Sequence, residues 1–204
     1  MSTILAVDCC MKLTGVALSV DNCVVDCESN ELGRLQAREL PLMTKRIISR
    51  NNLAFSDIDY IALTNGPGYF TGIRAGAAYA TGLAYACGVK IIPVSSLEML
   101  AYGINRYKVL ALVYAGKGFV YALCENYLSE GEYSHAQITE WIRENPDALV
   151  ISDDPDKIGL KLKAEILTVR PDVKALCEIA AESKRVNLAV SPLELKISYY
   201  RSVI

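Results

Sequence analysis

Residues 66–76, GPGYFTGIRAG, are of the types that cradle anions. Gly66 and Gly68 permit positive φ or close backbone approach, and Pro67 stiffens the turn between them. The run joins an apolar stretch, IDYIALT, to the start of a helix, where free N–H groups attract phosphate. Its spacing fits neither common phosphate motif. Gly72 comes one residue late for G-x-G-x-x-G, and no Gly-Lys-Ser/Thr supplies a P-loop. The pattern favours a tight structural turn over a phosphate cradle. Asp8, in AVDCC, ends an apolar run, a place suited to a metal or phosphate partner and equally to a plain turn. No second carboxylate has a matched position for acid–base work; Asp153 and Asp154 precede Pro155 and read as turn or cap residues. Lys45, Arg46 and Arg50 read as the solvated face of a helix.

What is missing narrows the chemistry further. The single histidine, His135 in GEYSHAQ, reads as an exposed loop residue, and one histidine builds neither a two-histidine zinc site nor an HExxH protease. The seven cysteines are odd in number and scattered through apolar runs; Cys23 and Cys27 are four apart, not a CxxC pair. They read as reduced apolar fillers in a cytoplasmic protein. No metal and no cofactor is implied. With 21 basic and 23 acidic residues the chain has no basic excess to hold a nucleic-acid backbone unaided.

These residues need a scaffold, and 204 residues that are 52% apolar can build one. The opening MSTILAVDCCMK lacks the basic start of a signal peptide, and FTGIRAGAAYATGLAYAC is too short and too weakly apolar to span a bilayer. TILAVD, LTGVALSV and CVVDCES, parted at Met11–Lys12 and Asp21–Asn22, predict an antiparallel meander. Leu40, Met43, Ile47 and Ile48 follow helical spacing, with Pro41 starting or kinking that helix. IDYIALT and VKIIPV predict buried strands, a helix runs from about Thr71 to Ala86, and Ser95 with Glu98 opens another. The order β-β-β-α-β-α-β-α implies a mixed sheet with helices packed on it. The second half predicts a hairpin around Gly116–Lys117–Gly118, a short helix or turn at ITEWIREN, strands at ALVISDD and ILTVRPD, a helix at VKALCEIAAES, and an extended, docked tail ending SYYR.

The helix after the glycine turn is unusual. Gly72, Gly76, Ala80, Ala84 and Gly88 recur at steps of four, forming one stripe of small residues. Glycine inside a helix costs about 1 kcal/mol relative to alanine, so the stripe implies close approach of another backbone. The pattern leaves open whether that backbone belongs to a second domain or protein, or to the chain itself.

ILAVD, the meander, IDYIALTNGPGYFTGIRAG and GLAYACGVKIIPVSSLEMLA together resemble the bacterial TsaB family, also called YeaZ, across residues 3–101, and the terminal SYYR is similar to that family's ending. The resemblance implies an α/β fold of the actin-like ATPase (ribonuclease H-like) superfamily. It would have two subdomains, 1–104 with the dimerisation helices and a smaller, diverged 105–204, each with a mixed sheet and packed helices. It implies a non-catalytic partner of the threonylcarbamoyltransferase TsaD in forming threonylcarbamoyl-adenosine at tRNA position 37. TsaE, an ATPase, would join through the complex, tRNA would be met only through the complex, and the chain alone would pair with itself. By that resemblance Gly66, Gly68, Phe70, Thr71, Gly72, Arg74 and Gly76, with Ala80 and Ala84 along the stripe, shape the partner surface. The chain departs from the family pattern at Tyr69, commonly serine, at GRLQARELP, which lacks a His-Ser or His-Thr pair, and at Tyr114–Gly118, which lacks Asp-Ala-Arg. The alternative reading is a nucleotide- or sugar-phosphate-binding enzyme of the same superfamily, resting on Asp8 and the glycine turn.

Overall fold

The computed structural model describes residues 2–160 and 165–200. The first half runs β1 (Thr3–Asp8), β2 (Thr14–Val20), β3 (Cys23–Asn30), α1 (Gln36–Arg50), β4 (Tyr60–Thr64), α2 (Phe70–Cys87), β5 (Lys90–Val94) and α3 (Ser96–Ala101). This is the element order the periodicities predict. The second half runs β6 (Val109–Gly116), β7 (Phe119–Cys124), β8 (Leu128–Ser134), α4 (His135–Glu144), β9 (Leu149–Ser152), α5 (Pro155–Ile158), β10 (Leu167–Thr168), α6 (Val173–Ala181) and α7 (Ser183–Val186).

The strands form two five-stranded mixed sheets, ordered β3-β2-β1-β4-β5 and β10-β9-β6-β7-β8. The two share one plan. In each, the first strand pairs antiparallel with the second, β1 with β2 and β6 with β7. In each it also pairs parallel with a later strand, β1 with β4 and β6 with β9. Alternation along the strands sorts side chains into layers. Leu5 and Val7 of β1 face a cluster with Leu40, Met43 and Ile47 of α1 and Ala80 and Ala84 of α2. Ile4 and Ala6 face the other way, into a cluster shared with Leu97 and Leu100 of α3, Leu176 and Ile179 of α6, and Ala111 and Val113 of β6. Leu110 and Leu112 point outward to Ile138 of α4 and Ile158 of α5. The layers are therefore α1–α2, first sheet, α3–α6, second sheet, α4–α5. Although α6 follows the second sheet in sequence, it packs on β1, β2 and β3 of the first. The chain beyond it also returns there, where Val190 bridges Ile91 of β5.

Local chemistry explains the elements and the differences from expectation. Asp21 and Asn22, both at positive φ, turn β2 into β3. Ser95 accepts from the backbone N–H groups of Leu97 and Glu98, as the capping pattern predicts, but the Glu98 carboxylate turns away to Arg185. β8 is an edge strand of sequence LSEGEYS, which has no apolar alternation to announce it. His135 is half-buried at the first turn of α4 instead of lying in a loop, because Ser134 caps that helix with Gln137. Arg46 and Arg50 of α1 are paired to Glu28 and Asp26 of β3.

Candidate functional site

The site is built around the junction of β4 and α2. Residues 65–68 are tied on both sides: Asn65 N–H bonds to the Val94 carbonyl, and Ser96 N–H bonds to the Gly66 carbonyl, at 3.0 and 2.9 Å. Gly66 sits at φ 107°, where only glycine is comfortable. The head of α2 then lands on the segment after β1. Tyr69 N–H donates to the Cys10 carbonyl at 2.8 Å. A Cβ added to Gly68 would stand 2.0 Å from the Cys10 carbonyl oxygen, and one on Gly72 would stand 2.0 Å from that of Cys9. The glycines are there because backbone meets backbone. Of the N–H groups expected to attract a phosphate, that of Tyr69 is taken by the chain's own Cys10 carbonyl oxygen.

The small-residue stripe is covered by the same packing. Gly72, Gly76, Ala80 and Ala84 are all buried, and a Cβ on Gly76 would lie 3.3 Å from the Cys9 Cβ. A stripe left vacant for a foreign helix is not what the structure has; the approaching backbone is the chain's own. Gly88 does not belong to the stripe. It ends α2 in the left-handed conformation, at φ 71°. Of the residues the resemblance singles out, Phe70, Thr71 and Arg74 are exposed, whereas Gly66, Gly72, Gly76, Ala80 and Ala84 are buried and Gly68 is half-buried. α2 does have a free flank on its opposite side. Thr71, Arg74, Ala78, Gly82, Tyr85 and Ala86 are exposed, and a Cβ on Gly82 would meet nothing within 4 Å. Helix α1 lies beside α2 on the same face of the sheet and exposes Leu42.

Asp8 is buried and accepts from the Thr64 hydroxyl at 2.5 Å and from Cys10 N–H at 3.0 Å. Burial, assisted by the charge of Asp153, pushes its carboxyl up to about 6 despite those bonds. Asp153 is 5% exposed and caps Lys12 N–H at 2.9 Å, so it ties the second sheet to the β1–β2 turn. Burial raises its carboxyl as well. The pattern of sequence gave no sign of this link, which spans 141 positions. The Lys157 ammonium of α5 lies 3.8 Å over the Tyr69 ring and 5.2 Å from the Tyr114 ring, at two places where the chain departs from the family pattern. Among the described residues no three of His, Cys, Asp and Glu gather where they could hold a metal ion. Cys9, Cys10, Cys124 and Cys177 are buried as apolar fillers would be, Cys27 and Cys87 are half-buried, and Cys23 is exposed, so the filler reading does not hold for Cys23. Among the described residues no helix is long and apolar enough to cross a membrane.

Comparison with known proteins places this geometry in a family. Residues 31–173 match the family described as TsaD, tRNA N6-adenosine threonylcarbamoyltransferase. The chain belongs to this family. Within it the long match is to a TsaB protein: the tRNA threonylcarbamoyladenosine biosynthesis protein TsaB of Escherichia coli is 29% identical over 184 residues, 88% of this chain and 76% of that protein. The tRNA N6-adenosine threonylcarbamoyltransferase of Pyrobaculum islandicum is 30% identical over only 90 residues, 42% of this chain and 27% of that one. A Pseudomonas aeruginosa protein described as similar to the peptidase YeaZ superposes with a TM-score of 0.82 at 24% identity, covering 98% of this chain and all of that one. That likeness carries the fold, the two-sheet α/β architecture expected of the actin-like superfamily.

Proposed function

We propose that this TsaB-type chain is the non-catalytic partner of a TsaD-type threonylcarbamoyltransferase in forming threonylcarbamoyl-adenosine at tRNA position 37, docking through the outer face of α2. The observation that carries the reading is that flank itself. α2 is apolar nearly all round, its inner side is consumed by the first sheet, and its outer side presents Ala78, Gly82 and Ala86 with open space over Gly82. Small residues let a second helix approach closely, and exposed Leu42 of α1 extends the apolar surface. The partner surface therefore keeps Phe70, Thr71 and Arg74 and moves from the buried stripe to the opposite side of the same helix.

The catalytic centre belongs to the partner. One histidine, half-buried at the head of α4, cannot supply paired metal-binding histidines. The enzyme alternative loses its main support, since the glycine turn packs against the carbonyl oxygens of Cys9 and Cys10. In the absence of TsaD the same flank pairs two copies of the chain. TsaE and tRNA are met through the TsaD complex, in the cytoplasm. Light scattering on an equimolar mixture of the purified chain and the TsaD-type subunit of its source tests the reading. The expected mass is that of the pair; two separate masses at micromolar concentration would overturn it.

A further inference from the structure

Beyond α7 the chain runs from 187 to 200 with a single 3-10 turn at Pro192–Glu194. Within the described residues this segment is tied down at several points. Val190 exchanges both backbone hydrogen bonds with Ile91, at 2.9 and 2.8 Å. Leu195 and Ile197 pack against the cluster under α2. Ser198 N–H donates to the Asn65 carbonyl at 2.9 Å, and the Asn65 side-chain amide donates to the Lys196 carbonyl at 3.1 Å. Tyr200 then crosses to the second sheet, where its hydroxyl donates to Glu130 at 2.5 Å.

Between those anchors Tyr199 is laid on Phe70, the first residue of α2, with ring centroids 5.5 Å apart. The Arg74 guanidinium, one turn along, sits 4.2 Å from the centre of the same Phe70 ring. Both rings remain about two-fifths exposed, 39% for Phe70 and 41% for Tyr199. Arg74 makes no ion pair among the described residues. Tyr199 is thus held, partly solvent-facing, against the head of the helix whose outer flank is free. Tyr200 is equally exposed, but its hydroxyl is tied to Glu130 of the second sheet, which leaves Tyr199 as the ring presented beside α2. Tyrosine and arginine are the side chains that most often dominate protein interfaces.

We infer that the C-terminal segment is the second wall of the docking surface: the TsaD-type subunit seats against Tyr199, Phe70 and Arg74 and offers a carboxylate to Arg74. The inference rests on the proposed docking through α2, and the two fail differently. Binding of the full chain to the TsaD-type subunit is measured for Tyr199→Ala, Tyr199→Phe, Arg74→Glu and Gly82→Leu, with a melting curve for each. Tyr199→Ala weakens binding by about tenfold or more, and Tyr199→Phe stays within about threefold of the parent. Arg74→Glu, a surface change that leaves folding intact, also weakens binding, and its penalty shrinks as salt is raised. If Tyr199→Ala and Arg74→Glu bind normally while Gly82→Leu does not, the second wall is wrong and the α2 flank stands. If Gly82→Leu also binds normally, the flank itself is refuted. If Tyr199→Ala disturbs only self-association, the occupant is a second copy of this chain, contrary to the inference.

Discussion

Two glycines on one helix separate packing from docking. Gly72 has the Cys9 carbonyl oxygen where a Cβ would go, whereas Gly82 has open space there. Gly72→Ala must push two backbones apart, and overpacking of this kind costs roughly 1–3 kcal/mol, so its melting temperature falls. Gly82→Ala relieves the entropy cost of glycine in a helix and gains roughly 0.5–1 kcal/mol. Thermal denaturation of the two variants checks both signs. Gly76 belongs with Gly72: the Cys9 Cβ stands 3.3 Å from its Cβ position, so a bulky residue there tests folding and not pairing. Asp8 supplies a pH signature. Its folded carboxyl titrates at about 6 against an ordinary 3.8, so the fold favours the protonated form. The stability it contributes is full below the ordinary carboxylate range and is lost as pH rises through about 6, a swing of roughly 3 kcal/mol. Asp8→Asn keeps an oxygen for Thr64 and Cys10 and removes the charge. Its advantage over the parent should be largest near pH 8 and vanish near pH 4; a constant difference across that range would refute the buried-charge account. Asp153, raised in the same sense, leaves a smaller slope of its own in the variant.

At the scale of elements, hydrophobic period was enough for most of the fold. Leu40, Met43, Ile47 and Ile48 are the apolar residues α1 buries, and β1 to α3 follow in the order read from the chain. Period fails where an element has little to bury: β8 is an edge strand that no alternation announces, whereas β10, only two residues long, falls inside the strand expected at ILTVRPD. The candidate site was half legible. A ridge of small residues says that some backbone comes close, but carbonyl oxygens carry no side-chain signature, so the ridge cannot say whose backbone it is. The exposed flank, with Ala78, Gly82 and Ala86, has the same spacing as the buried one, so spacing alone cannot tell the two apart. The ion pairs of α1 with β3 are solvent-exposed and should matter little: Arg46→Ala, which breaks the pair to Glu28, should leave the midpoint of a denaturant titration nearly unchanged.

For the molecule as a whole, the two sheets share α3 and α6 as a common filling. The Asp153–Lys12 contact joins the second sheet to the β1–β2 turn, and the Lys157 ammonium lies over the Tyr69 ring. Calorimetry of the isolated chain with ATP and magnesium is expected to give no heat of binding; micromolar affinity would revive the enzyme reading. The account depends most on the claim that a partner's helix lies on the outer side of α2. The measurement that reaches it most directly is the light-scattering mass of the TsaD-type subunit mixed with Gly82→Leu, beside the same mixture made with the parent. The account predicts the mass of a pair for the parent and two unassociated masses for the variant, with unchanged melting temperature. A variant that still gives the mass of the pair would contradict it.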